Sequence, residues 1–333
     1  MALVFVLLAA SVRSPDMLKR MTWLIVVAMG YIAVRGALDY ARGINLERGR
    51  LMGSVSGLMG NPNDLAMNMV TFMPFALVAA LARGPVMRRL IATGASAFMG
   101  LTIVLTRSRA GMLGLVVMAV VLLIQSGRLR GRMLMVLLFA GILATPITPP
   151  SIWTRLSSIF IEEQDETGSR ESRLHLMRQG WETFLEFPVT GVGVGQFKNY
   201  NPPGRQEAWQ ETHNVILQIL AELGIAGGVV FLFLLACPVV ALSRTKRLLR
   251  RLAPAGGMAA LSAGEADWMR IQVGAAAAGF AGWVTCAQFA SVGYYWTFYY
   301  LLAFIVAGRE ILVERLRAVR RAAMTAPRGG VAA

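Results

Sequence analysis

Long apolar runs separated by short clusters of basic residues organise the whole chain. A helix needs about 20 residues to cross a bilayer core of roughly 30 Å, and about eight runs approach that length. These runs fall near 21–38, 64–82, 90–106, 110–126, 133–148, 214–242, 271–289 and 292–308. A further run, from Met1 to Val12, is too short to cross alone, and we expect it to end a helix that begins before this sequence rather than to form an interfacial segment. The pattern predicts an all-α, polytopic bundle of transmembrane helices with one long, partly helical outer loop.

The composition agrees with a membrane protein and excludes most soluble classes. Of the 333 residues, 56% are hydrophobic and 15% are charged, and the mean hydropathy is +0.57. Neither a disordered tail nor an ordinary soluble domain has this balance. The two cysteines, Cys237 and Cys286, lie inside apolar runs, so we expect neither a disulfide framework nor a cysteine metal site.

The net charge of +15 would suggest a nucleic-acid partner in a soluble protein. Here most of the 33 basic residues fall in alternate loops between the apolar runs, as the positive-inside rule describes, so we expect membrane lipids and no nucleic acid as partners. The predicted cytoplasmic clusters lie near 13–20, 83–89, 128–132, 244–251 and 309–328. The chain then divides into N-terminal transmembrane helices (1–148), the outer loop (149–212), C-terminal transmembrane helices (213–310) and a basic cytoplasmic tail (311–333).

The outer loop contains a helical pattern followed by a glycine-rich turn. Apolar residues recur at helical spacing from Leu174 to Leu185, and Pro188 ends the pattern. The segment GVGVGQF (191–197) follows, but it lacks the terminal lysine and hydroxyl residue of a nucleotide phosphate loop. We interpret it as a tight surface turn, with direct phosphate contact as the alternative.

His213 stands where the chain re-enters the membrane. Thr212 is positioned to cap the next helix, which would put His213 in its first turn, beside free backbone N–H groups and the positive end of the helix dipole. A cation is disfavoured there, so we expect a neutral imidazole that suits a base beside an anionic ligand. The alternative is an interfacial histidine that binds only water. At an earlier entry point, Asn61 is positioned to cap a helix with Pro62 at its first position.

Two arginines and one carboxylate are difficult to explain as structural residues. Arg107 and Arg109 lie in a sharp turn between two spans on the outer side. Charged residues at this depth are costly and often mark a ligand site, although arginines also extend to lipid headgroups. Glu222 lies about two turns inside a span, where we expect it to pair with an arginine or to line a cavity.

Four segments resemble the O-antigen ligase and O-antigen polymerase superfamily of lipid-linked glycan transferases. They are GNPNDLA (60–66), LTRSRAG (105–111), SRLHLMRQGWETFLEFPVTGVGVGQF (172–197) and THNVILQILAELGIAG (212–227). The resemblance covers roughly residues 55–240. It implies glycan transfer at the periplasmic face of the bacterial inner membrane, with undecaprenyl diphosphate as the donor carrier and no metal or other cofactor. Members usually have more spans than this chain shows, so we expect either a missing N-terminal part or a short variant of the family.

The resemblance also implies roles for individual residues. His213 matches the family's loop histidine and is the implied catalytic residue, while Arg109 and Arg173 match arginines of the outer face that bind diphosphate. Further candidates are Arg170 as a substitute for Arg173, and Asn214, Glu222, Asn63 and Asp64 as supporting residues.

The chemistry of these residue types agrees with the resemblance. Guanidinium groups bind phosphate oxygens through paired N–H donors, and a neutral imidazole with a reference pKa of about 6.5 accepts a proton from a sugar hydroxyl. We therefore expect an enzyme, an O-antigen ligase that transfers a glycan to lipid A core. An O-antigen polymerase or an O-linked oligosaccharyltransferase would share this chemistry and differ in the acceptor. A polysaccharide transporter, or a structural partner in glycan assembly, is the alternative from another class.

Overall fold

A computed structural model describes residues 2–54, 59–82, 84–127, 130–135, 169–200, 210–253 and 261–325. In these ranges the chain is helical apart from turns, connecting segments and one small hairpin, which confirms the all-α class. The helices are α1 (Ala2–Ser11), α2 (Pro15–Ala41), α3 (Pro62–Leu81), α4 (Val86–Leu105), α5 (Arg109–Gln125), α6 (Ser169–Glu186), α7 (Val215–Leu252), α8 (Ala263–Ala287) and α9 (Trp296–Thr325), and residues 130–135 are helical too. The hairpin pairs β1 (Leu46–Glu47) with β2 (Arg50–Leu51) in antiparallel orientation.

Five described helices are long and apolar enough to cross a membrane, namely α2, α3, α4, α7 and the first 27 residues of α9. They coincide with five of the predicted spans, and the span predicted at 110–126 coincides with the shorter apolar helix α5. The span predicted at 271–289 lies in α8, which is not among the five. Most of the span predicted at 133–148 lies outside the described residues. A multi-pass membrane protein is thus supported, and the predicted count of eight spans stays a prediction.

Most helices begin where a polar side chain accepts the first free backbone N–H groups. Ser14, Ser108 and Ser262 cap α2, α5 and α8, respectively. Asn61 accepts from the backbone N–H groups of residues 63 and 64, with Pro62 at the first helical position, as predicted. These caps end the loops at defined residues, which matters because several of those loop residues form the site described below.

The core lies around α3, whose residues from Leu65 to Val78 are nearly all buried. Glycines let α8 approach α3 and α5 closely, as in many membrane bundles. A Cβ atom at Gly279 would overlap the backbone oxygen of Thr71, and one at Gly114 in α5 would overlap the sulfur of Cys286. Both cysteines are free, in agreement with the sequence.

A break in α7 holds the glycine-rich turn. Gly224 has φ 64° and ψ −163° within the helix, so the backbone groups around it lose their helical partners. The turn replaces some of them, because the N–H of Val192 donates to the carbonyl of Ala221 (2.9 Å) and the N–H of Ile225 donates to that of Pro188 (2.8 Å). The segment 191–197 therefore docks on α7, with positive φ at residues 191, 193 and 195. This agrees with our interpretation of it as a turn.

Helix α6 packs on α7 through a face different from the predicted apolar stripe. Leu176, Gly180 and Thr183 are buried, and a Cβ at Gly180 would lie 3.0 Å from the side chain of Thr212. The stripe predicted the helix correctly, but its residues Leu174 and Leu185 are 55% and 58% exposed. The small residues Gly180 and Thr183 allow close contact at this face, whereas Leu174, Trp181 and Leu185 of the stripe are exposed.

Several of the predicted cytoplasmic basic clusters meet at one end of the bundle. Arg13 pairs with Glu314 (3.3 Å), and Lys19 lies over the ring of Trp268. Lys246 donates to the side chain of Gln125 at the end of α5 (2.8 Å). The helix α9 continues through this end to Thr325, across the predicted boundary at 310. His213 lies at the opposite end of α7.

Candidate functional site

A polar cavity of about 520 Å³ lies at the end of the bundle that contains His213, and we call it the mixed-charge cavity. Five segments of the chain form it: the hairpin, the start of α3, helix α6, the segment before α7 and the connection between α8 and α9. Its charged and ionisable lining residues are Glu47, Arg48, Arg50, Asp64, Arg173, Glu211 and His213. Cations and anions therefore share one concave site, as in many ligand pockets.

His213 is held by its backbone directly before α7. Its N–H donates to Ser291 Oγ (3.0 Å), which also hydrogen-bonds to Thr212 Oγ1 (3.0 Å). The prediction that Thr212 caps the helix is wrong. Asn214 is the cap, because its side chain accepts from the N–H groups of Ile216 and Leu217 (both 3.0 Å). His213 thus precedes the helix with φ 51°, a left-handed conformation that costs energy in a non-glycine residue.

The imidazole of His213 is neutral at physiological pH. Burial lowers its pKa to about 4, and the positive charge of Arg173 contributes to the same shift. The predicted neutral histidine is confirmed, but the cause differs. We expected the helix dipole to act, whereas desolvation and a neighbouring guanidinium are the main causes.

The hairpin supplies two arginines that lie outside the motifs of the resemblance. The Nε group of Arg50 donates to the carbonyl of Thr106 (3.0 Å), and its Nη2 group donates to Asn63 Oδ1 (2.9 Å). Ser108 also donates to Asn63 Oδ1 (2.8 Å), so residues of the GNPND and TRSRA segments jointly orient the Arg50 guanidinium. Arg48 lines the same cavity from the turn of the hairpin, with φ 49°.

Carboxylates also line the mixed-charge cavity. Asp64 is only 3% exposed and accepts hydrogen bonds from the Tyr295 hydroxyl (3.1 Å) and the Asn61 amide. Glu211 also lines the cavity, and burial raises its pKa. In the ranges that the structure describes, no three His, Cys, Asp or Glu side chains are grouped to hold a metal ion.

The structure brings some of the predicted site residues together and not others. His213, Arg173, Asn63 and Asp64 all line the mixed-charge cavity. Arg109 is the first residue of α5 and is not among the lining residues. The side chain of Arg170 lies outside the described part of the chain.

Two further predicted residues, Asn214 and Glu222, form hydrogen bonds with backbone groups near the cavity. Asn214 caps α7, and its Nδ2 group donates to the carbonyl of Gln288 (3.1 Å), which ties His213 to the end of α8. Among the described residues Glu222 forms no ion pair, and it is not among the lining residues of the mixed-charge cavity, so its predicted supporting role stays a prediction. It is buried and accepts from the N–H of Phe197 (3.3 Å), so it holds the glycine-rich turn.

One signal in the sequence could have identified the hairpin arginines. Under the predicted topology, Arg48 and Arg50 fall on the outer side, so they belong to the minority of basic residues that the positive-inside rule does not explain. Arg173 and Arg109 belong to the same minority, and they were identified only through the motifs around them.

The apolar helices and the mixed-charge cavity together point to a multi-pass membrane protein with a polar cavity at one end of its bundle. The family model of the O-antigen ligases matches residues 94–232, from α4 to the first half of α7. This match supports the superfamily assignment and covers three of the four segments that carry the resemblance, while GNPNDLA (60–66) lies before it. Members are membrane glycosyltransferase-type enzymes, ligases or polymerases. No curated protein matches the chain.

Proposed function

We propose that the protein is a ligase of O-antigen type. It transfers a glycan from undecaprenyl diphosphate to a sugar hydroxyl of lipid A core, and the mixed-charge cavity faces the periplasm of a bacterial inner membrane. The observation that carries this proposal is the lining of one cavity by a neutral imidazole and three guanidiniums, from Arg48, Arg50 and Arg173. This set is suited to bind an anionic leaving group beside a base.

The donor diphosphate binds to the guanidiniums of the cavity. Arginine stays protonated and binds phosphate oxygens through paired N–H donors, which supplies the charge stabilisation that other enzymes obtain from Mg²⁺. What supports a fixed role for Arg50 is its two hydrogen bonds to Thr106 and Asn63, which orient its guanidinium before the donor arrives. Arg109 and Arg170 are included in the diphosphate site on the strength of the resemblance alone.

His213 acts as the general base. The acceptor oxygen attacks the anomeric carbon, the bond from that carbon to the phosphate oxygen breaks, and its electron pair stays on the diphosphate. The hydroxyl proton moves to the imidazole, and direct displacement inverts the anomeric centre. A pKa of about 4 makes His213 a weak base in the empty cavity, but a nearby diphosphate anion would raise that pKa because it favours the charged form. The base therefore strengthens when the donor binds.

The acceptor sugar lies against the carboxylates. Asp64 and Glu211 carry oxygens that accept hydrogen bonds from sugar hydroxyls, and they share the cavity with His213. Because a polymerase would use the same donor site and the same base, only the acceptor distinguishes the two activities. The ligase and polymerase proposals thus differ only in the molecule that occupies the acceptor position.

Reconstituted transfer tests the proposal. Purified protein in proteoliposomes is given a lipid-linked glycan with either lipid A core or a second lipid-linked glycan, and product is measured on each acceptor. We expect product on lipid A core and about a thousandfold slower transfer by His213→Gln. His175→Gln is the matched control because His175 is exposed on α6 outside the cavity. Elongation of the lipid-linked glycan instead would favour the polymerase, and unchanged transfer by His213→Gln would reject the enzyme mechanism.

A further inference from the structure

A second cavity, of about 240 Å³, lies between α7 and α9 near the end of α7 that is opposite His213. We call it the arginine cavity. It is lined by Arg244, Arg247, Leu248 and Arg251 of α7 and by Arg309 and Val313 of α9. From residue 214 to residue 244 an α-helix rises roughly 45 Å, which places this cavity about one bilayer away from the first one.

The charge of the arginine cavity has one sign. Four of its six lining residues are arginines, and none is acidic. Arg244, Arg247 and Arg251 follow the spacing of one helix face. Arg309 pairs with the neighbouring Glu310 (2.7 Å), but within the described ranges no carboxylate lies within ion-pair distance of the three arginines of α7. Holding like charges together without a counterion is unfavourable, so an anion from outside the chain would stabilise this arrangement.

Apolar surface continues from the cavity along α7. Leu248 and Val313 form its uncharged walls. One turn further towards the centre of the helix, Val239 and Val240 are 54% and 45% exposed. A ligand that fits both features has an anionic head for the guanidiniums and hydrocarbon chains for the exposed valines.

We infer that the arginine cavity binds the headgroup of an anionic phospholipid, with the acyl chains along the outward face of α7. Basic pockets between transmembrane helices bind such headgroups because the phosphate is held near the membrane surface in front of the guanidiniums. Four guanidiniums can pair with two phosphates, so diphosphatidylglycerol is the lipid that best matches the cavity. The site is separate from the mixed-charge cavity, and the inference does not depend on the proposed transfer reaction.

Native mass spectrometry of the purified full chain with diphosphatidylglycerol tests this inference. The variant carries Arg244→Gln, Arg247→Gln and Arg251→Gln. We expect the tightest lipid-binding event to weaken on the order of a hundredfold, because each basic residue near an anionic lipid is worth about a factor of five. Phosphatidylcholine should bind without a difference between the two proteins.

A matched control carries Arg317→Gln, Arg320→Gln and Arg321→Gln, which remove the same charge from exposed positions of α9 outside the cavity. Its lipid affinity should change less than about threefold. Equal weakening in both triple variants would show nonspecific attraction and overturn the inference, as would unchanged binding in the first variant. Displacement of the lipid by millimolar inorganic phosphate would assign the cavity to a free anion instead. An unchanged melting temperature would show that the variant with three substitutions in α7 folds. If that variant does not fold, the single substitution Arg309→Gln tests the same cavity, and it should also weaken lipid binding.

Discussion

The two cavities lie near opposite ends of α7 and differ in how their charged side chains are held. In the mixed-charge cavity, Arg50 is fixed by hydrogen bonds to two other segments, and His213 is fixed by its backbone contact to Ser291. In the arginine cavity, the three arginines of α7 are exposed on the surface of a regular helix and lack ion-pair partners among the described residues. Both cavities contain several arginines, but the second has no acidic lining residue, and hydrogen bonds to other segments orient Arg50 only in the first.

This difference teaches what each kind of site requires. Catalysis depends on groups that are already oriented towards the charge that develops in the transition state, because reorienting them during the reaction costs energy. Binding a lipid headgroup requires charge density and an apolar surface, which flexible arginines on one helix face supply. Removing a hydrogen bond that orients a side chain should therefore lower activity at the mixed-charge cavity. Among the described residues, the α7 arginines of the arginine cavity have no such orienting contact to remove.

The largest effect is expected from the imidazole. His213→Gln should lower the transfer rate about a thousandfold, because general-base catalysis contributes roughly 10² to 10⁴. The rate is measured in proteoliposomes with donor and acceptor at saturation. His175→Gln removes the other of the two histidines and should leave the rate unchanged. Equal losses in the two variants would mean that His213 has no special role in the mixed-charge cavity.

The next effect tests the orientation of Arg50. Arg50→Gln should reduce kcat/KM for the donor about a hundredfold, the usual cost of a lost oriented donor, and Arg50→Lys should recover only part of it, because lysine keeps the charge without the planar fork. Arg42→Gln is the control, since Arg42 lies exposed in the same outer segment and does not line the cavity. If Arg50→Lys were fully active, a positive charge without a fixed orientation would be enough for donor binding and transfer. The proposed difference between oriented and unoriented arginines in the two cavities would then be wrong.

A third prediction concerns the break in α7 beside the glycine-rich turn. Gly224→Ala should lower the free energy of unfolding by about 2 to 4 kcal/mol, because alanine is strained at φ 64° and its Cβ would overlap the carbonyl of Val189. Thermal unfolding in detergent measures the change. Gly94→Ala is the control, since a Cβ there has open space within α4 and should stabilise the helix slightly. An unaffected melting temperature for Gly224→Ala would show that the turn docks without the break.

The smallest expected effect is a dependence of stability on pH. The pKa of His213 is lowered to about 4 in the folded protein, from 6.5 when unfolded, so the unfolded state binds the proton more strongly. The stability that the neutral imidazole contributes is thus present above pH 6.5 and is lost as the pH falls towards 4. At pH 5 the loss should be about 2 kcal/mol relative to pH 7. Melting temperatures of the wild type and His213→Gln at both pH values should reveal it, and parallel curves for the two proteins would contradict it.

Much of the fold could be predicted because its signals are local. Apolar runs of span length predicted the helices α2, α3, α4 and α7, and the Asn61-Pro62 pair predicted the start of α3. The motifs predicted that His213 and Arg173 belong to one site, and they line one cavity. The prediction for Thr212 failed because both Thr212 and Asn214 are good caps, and the backbone turn at His213, held by Ser291, decides between them.

Arg48 and Arg50 could not be assigned to the site by the same means. Their hairpin spans only a few residues and carries no periodic pattern, and the partners of Arg50 come from the start of α3 and the end of α4. The hydrogen-bond partner of Glu222 could not be predicted for a similar reason. Its partner is a backbone N–H of the glycine-rich turn, which no pattern of charged residues indicates.

By itself the sequence determined the class of this protein, the positions of most of its helices and the types of residue available for chemistry, because hydrophobicity, helical periodicity and capping act over a few neighbouring residues. Only the tertiary structure decided which of the many arginines share a cavity with His213, how deeply its imidazole is buried and which residue caps its helix. Those outcomes depend on packing between segments up to more than 200 residues apart, such as Asp64 and Tyr295. A local pattern does not encode the distances between such segments, so the site could be proposed from motifs but its composition required the fold.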